Sequence, residues 1–79
     1  MTNIYSVRFD PETSANEYRE IRIFLRQIDV PFKRYLQHAP DNAQIRITYD
    51  LYTTPDNISF LSLKYNKFEV LSTIKGFNG

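Results

Sequence analysis

Four prolines, at positions 11, 31, 40 and 55, punctuate a chain that has no glycine before residue 76. Proline fixes its own φ and donates no backbone hydrogen bond, so each of these sites bounds an element. Asp10-Pro11 closes one apolar run and Val30-Pro31 another, because the residue before proline is pushed out of the α region. Pro40-Asp41-Asn42 and Pro55-Asp56-Asn57 repeat one turn signal fifteen residues apart, each ahead of a strand-like run.

Hydrophobic periodicity assigns the intervals. Residues 4–9 alternate, with Tyr5, Val7 and Phe9 on one side and Ile4, Ser6 and Arg8 on the other. Ser14 and Glu17 then form an S-x-x-E capping box. At 100° per residue, Tyr18, Ile21, Phe24, Leu25 and Ile28 fall within an arc of about 120°, which predicts an amphipathic helix from about 14 to about 28. Residues 32–38 fit either a strand, with Phe32, Arg34 and Leu36 on one face, or a short helix; the strand is preferred. Residues 44–53 alternate most clearly, with Ile45, Ile47, Tyr49 and Leu51 inward and Tyr52 outward.

The last third reads as a β-hairpin. Strands 58–65 and 68–75 flank Asn66-Lys67, a two-residue loop that favours Asn first. In that register Leu61, Leu63, Tyr65, Phe68, Val70 and Ile74 share a face and Lys64 opposes Glu69. The expected fold is one small α+β domain over residues 1–79. It has a four- to five-stranded, mostly antiparallel sheet and one main helix, about 14–28, packed on one face.

Composition narrows function more than it identifies it. The 79 residues carry ten Lys/Arg against nine Asp/Glu, for a net charge of +1, so bulk electrostatic binding to DNA is not expected. There is no cysteine, which excludes disulfides, thiolate metal sites and thiol redox chemistry, and fits a reducing, cytoplasmic setting. The N-terminal stretch has no signal-peptide pattern and no run is apolar enough to span a membrane. Usage rich in Ile and Asn and poor in Gly and Ala suits an A/T-rich genome, as in a bacterial or phage accessory protein. A core this small gains from extra buried area, which a homodimer would supply.

The order IYSVRF, helix, DVPFKRY, then ISFLSLKY-NK-FEVLSTIKGF resembles the glutaredoxin/thioredoxin scaffold, which has a strand, a helix, a second strand and a terminal hairpin. No cysteine stands at the start of the helix, so redox activity does not carry over. The strand-like run at 44–53 also stands where that scaffold has a helix.

No catalytic set, metal site or cofactor is expected. His38 is the sole histidine, and nothing near it in sequence selects it as a base. Enzymatic activity would need it in a pocket beside a carboxylate. No glycine-rich phosphate loop exists. Two surfaces remain. Apolar residues at expected polar positions, Tyr52, Phe60 and Leu71 on the outer sheet face and Ile23 at the edge of the helix's arginine face, suggest a protein-partner surface. Such a protein would regulate or inhibit its partner. Arg19, Arg22 and Arg26 fall within an arc of about 60° on the helix, followed by Lys33 and Arg34. These five suggest either an acidic protein partner or, alternatively, RNA or single-stranded nucleic acid, with Tyr35, Tyr52 and Phe60 as stacking surfaces.

Overall fold

Two adjacent central strands organise the chain. In the computed structural model, which describes residues 2–10, 12–38, 45–65 and 68–76, the elements are β1 (Asn3–Arg8), α1 (Ala15–Gln27), β2 (Phe32–His38), β3 (Ile45–Thr53), α2 (Pro55–Lys64) and β4 (Glu69–Ile74). The sheet order is β2-β3-β1-β4, and every neighbouring pair is antiparallel. This β-α-β-β-α-β order is the split-βαβ, or ferredoxin-like, arrangement. The expected α+β class and antiparallel sheet are therefore present.

β1 keeps its predicted alternation: Tyr5, Val7 and Phe9 are buried, while Ile4, Ser6 and Arg8 are half-buried on the opposite side. α1 begins at the predicted capping box. Ser14 Oγ accepts from the Glu17 N–H at 3.2 Å, and Glu17 Oε1 accepts from the Ser14 N–H at 3.3 Å. Its Tyr18, Ile21 and Leu25 are buried. The helix ends in a Schellman turn: Val30 N–H bonds to Leu25 O at 2.9 Å and Asp29 N–H to Arg26 O at 3.2 Å, with Asp29 at φ 57°. Aspartate tolerates the left-handed region better than most residues, and Val30 beyond it enters the core. The segment after Pro31 is a strand, with Phe32 opposite Leu51 and His38 opposite Ile45.

The predicted terminal hairpin is overturned, and with it the thioredoxin-like chain order. Residues 55–64 are helical, and β4 pairs with β1 instead of with 58–65. Pro55-Asp56-Asn57 is a helix start. Thr54 is the N-cap, with Oγ1 accepting from the Asn57 N–H at 3.4 Å, and Pro55 stands where a missing N–H costs nothing. Ile58, Leu61 and Tyr65 follow helical spacing just as Leu61, Leu63 and Tyr65 follow strand spacing, and so short a run cannot separate them. Tertiary structure decides, because β1 has a second edge to pair and the sheet beneath needs cover. The expected Lys64–Glu69 pair does not form. Lys64 Nζ lies 4.6 Å from the centre of the Phe24 ring, and Glu69 pairs with Arg8 at 3.0 Å. The Asn66-Lys67 loop, the Pro40-Asp41-Asn42 turn, Pro11 and Phe77 lie outside the described residues.

Both helices cover one face of the sheet. Tyr5, Val7, Tyr18, Ile21, Leu25, Tyr49, Leu51 and Leu61 belong to one buried cluster. Buried polar groups are satisfied: Asn3 Nδ2 donates to Tyr5 Oη at 2.9 Å, Asn3 Oδ1 accepts from Gly76 N–H at 3.0 Å, and Thr53 Oγ1 accepts from Asn57 Nδ2 at 2.8 Å. The opposite face carries no helix among the described residues.

The hairpin and helix readings of 58–65 differ at two leucines. Leu61 is 0% exposed and Leu63 is 88% exposed. Leu61→Ala is expected to lower unfolding stability by about 2–5 kcal/mol, and Leu63→Ala to stay within about 0.5 kcal/mol. Urea denaturation midpoints measure both; similar losses for the two would restore the hairpin, in which they share a face.

Candidate functional site

The arginines of α1 stand on an aromatic base. Tyr49 of β3 is fully buried. Its ring stacks on Tyr18 at 6.2 Å and takes edge contacts from Phe9 and Phe32, each at 5.8 Å. Arg22 Nη1 donates to Tyr49 Oη at 3.4 Å, and the Arg26 guanidinium lies 5.7 Å from the centre of the Phe32 ring. The turn at 28–31 reverses the chain, so α1 runs back along β2. Arg26 meets the start of that strand. Arg22 reaches Tyr49, whose cross-strand partner is Arg34. Arg19 follows three residues, about 4.5 Å, further along the helix axis.

Cross-strand partners project to the same face of a sheet. Arg34 therefore shares the helix side with Tyr49, and Leu36 with Ile47. Lys33 is opposite Asp50 on the helix-free side. The five predicted basic residues are thus divided: Arg19, Arg22, Arg26 and Arg34 line one flank, while Lys33 is on the far side of the sheet. Among the described residues the only ion pair is Arg8–Glu69, so none of the four arginines has a carboxylate within 4.0 Å. Two aliphatic side chains sit in this flank. Ile23, 42% exposed, is four residues after Arg19 and three before Arg26, and Leu36, 56% exposed, is two residues beyond Arg34.

The three apolar residues expected on the outer sheet face are dispersed. Tyr52 is on the helix-free face, opposite Ile4. Phe60 is on α2, within the helix layer, where its ring stacks on Phe24 at 5.8 Å. Leu71 is the extra residue of a bulge in β4, between the pairs Ser6–Ser72 and Val7–Val70. Ile23 belongs to the arginine flank. Missed in the sequence were Leu36, because residues 32–38 had two readings, and Tyr49, which alternation marked only as core.

Across α1 from the arginines lies a cleft of about 450 Å³, floored by Phe9 and Ile21 and rimmed by Asp10, Glu12, Glu17, Glu20 and Lys64, with Tyr65 at its edge. Two of the carboxylates have local partners: Asp10 Oδ1 accepts from the Glu12 N–H at 3.0 Å, and Glu17 closes the capping box. Among the described residues no three His, Cys, Asp or Glu side chains converge in a way that could hold a metal ion. The His38 imidazole lies outside what the structure describes. No described helix is long and apolar enough to cross a membrane. The chain matches no protein-family model, no curated protein and no solved structure.

Burial pushes the Tyr65 phenol above its ordinary value of 10.0, and Glu20 adds to the shift. Burial likewise raises Tyr18, with Tyr49 next in effect. A phenol with a raised folded pKa keeps its proton longer in the native state than in the unfolded one. The unfolded state then binds fewer protons, and stability falls as pH rises. The contribution of both tyrosines is complete below pH 10.0 and is lost as pH climbs through their folded values. Tyrosinate absorbance during an alkaline titration is expected to lose a late-ionising component in Tyr18→Phe/Tyr65→Phe, with stability of the native chain declining as that component ionises. A titration that the two substitutions leave unchanged at its late end would contradict this.

Proposed function

We propose that this protein is a non-catalytic binding module that engages and regulates an acidic protein partner through the flank formed by Arg19, Arg22, Arg26 and Arg34. The observation that carries this reading is four guanidinium groups gathered on one flank with no carboxylate beside any of them among the described residues. Guanidinium forks match carboxylates in bidentate geometry, and arginine is enriched at protein interfaces. Ile23 and Leu36 supply apolar contact between the charges. A partner with carboxylates around an apolar ridge would complement both.

Single-stranded nucleic acid is the weaker reading because two of its three expected stacking rings are across the sheet from the arginines. Such binding joins a cationic groove to aromatic platforms. Tyr35 and Tyr52 are opposite Thr48 and Ile4 on the helix-free face, and Phe60, on α2, is stacked against Phe24. A cysteine-free chain suits a reducing compartment, and a cytoplasmic partner is part of the proposal.

Affinity capture from a nuclease-treated lysate tests it, comparing the native chain with Arg19→Glu/Arg26→Glu, both at exposed positions. Recovery of an acidic protein is expected to survive nuclease and to fall about tenfold in the variant, the equivalent of about 1.4 kcal/mol. Equal recovery by both proteins would discard the arginine flank, and capture abolished by nuclease alone would transfer the flank to nucleic acid.

A further inference from the structure

The charges of this chain are sorted across a single helix. Looking down α1 at 100° per residue, Glu17 and Glu20 centre about 160° from Arg19, Arg22 and Arg26. Asp10 and Glu12 extend the acidic side into the cleft beneath Tyr65, and Arg34 extends the basic side onto β2. Among the described residues Lys64 is the one cation at the cleft. The two sets are held on opposite sides of a rigid element, so they cannot neutralise one another within one molecule. Contact between two molecules can pair them.

We infer that the acidic surface seated on the arginine flank belongs to a second copy of this chain, whose Asp10–Glu20 cleft receives the flank head to tail. The inference rests on the proposed reading of the flank as a surface for acidic protein. Charge complementarity selects the occupant. The flank presents four arginines with Ile23 and Leu36 exposed among them, and the cleft presents carboxylates, Glu12 and Glu20 at exposed positions, around an apolar floor. A net charge of +1 leaves little overall repulsion between copies. The contact joins different patches on the two molecules and is heterologous, so it extends into an open chain unless its rotation closes a ring. Each added copy leaves one free flank and one free cleft. A distinct acidic partner would cap the array at the flank end, which makes assembly length the regulated quantity.

Sedimentation of the purified full chain provides the test. Mass is expected to rise with concentration at low salt and to return to the monomer in about 1 M NaCl, where the Debye length is about 3 Å. Arg19→Glu/Arg26→Glu and Glu12→Lys/Glu20→Lys alter exposed positions on the two sides. Each variant alone is expected to weaken association at least about tenfold, and an equimolar mixture to regain it, because each then meets an opposite charge. Circular dichroism checks that both are folded, and the salt dependence of the native chain stands whether or not they are. A native chain that stays monomeric at every soluble concentration overturns the inference, as does association indifferent to salt or a mixture that fails to recover. A monomer whose flank still captures a nuclease-resistant acidic protein removes self-pairing and leaves the proposed function standing; loss of that capture as well removes both.

Discussion

Tyr49 is the point on which the rest of the structure turns. It is fully buried on a central strand, stacked by Tyr18 from the helix above and edged by Phe9, just after β1, and Phe32 from β2. Offset or edge-to-face aromatic pairs contribute about 0.5–1.5 kcal/mol each beyond the area they bury. In a chain this short, that cluster joins the helix to three segments of the sheet layer at once. A buried phenol also needs a partner for its hydroxyl, and Arg22 supplies it at 3.4 Å. The same contact that satisfies the core therefore sets the position of a surface charge.

That coupling is why the arginine flank is held in place. Arg22 is tied to Tyr49 and Arg26 lies against Phe32, so two of the long side chains that line the flank have lost part of their freedom before any partner arrives. Prior ordering reduces the entropy cost of binding. The acidic cleft is supported in the same way from the other side. Phe9, one of the rings around Tyr49, also floors the cleft, where Tyr65 meets it edge-on at 5.6 Å. One aromatic core thus supports two surfaces of opposite charge, and α1 keeps them apart.

Much of the first two thirds of the chain was legible in order of residues. The Ser14–Glu17 capping box, the stripe from Tyr18 to Ile28 and the alternation through Tyr5, Val7 and Phe9 are local patterns with a single physical solution, and the structure has each of them. The stretch from Pro55 to Ile74 was not legible in the same way. Leu61 serves a period of two as well as a period of 3.6, and Thr54-Pro55 reads as a turn or as a capped helix start. The hairpin register was internally consistent, with a shared apolar face and a Lys64–Glu69 pair, but self-consistency within a segment does not test it against the rest of the chain. The candidate surface divided along the same line. Arg19, Arg22 and Arg26 were found together because helical spacing is local; Lys33 and Arg34 were separated because adjacent strand residues face opposite ways.

By itself the sequence determined where the elements are interrupted, which side of α1 is apolar, and that Arg19, Arg22 and Arg26 gather within one arc of it. These follow from proline geometry and fixed helical and strand periods, which act over a few residues. Only the tertiary structure decided that β1 is central, that α2 replaces one arm of a hairpin, and that Arg34 joins the helix arginines while Lys33 does not. Those outcomes depend on which distant segment fills the free edge of β1 and covers the sheet, and burial of that kind is settled by the whole chain at once.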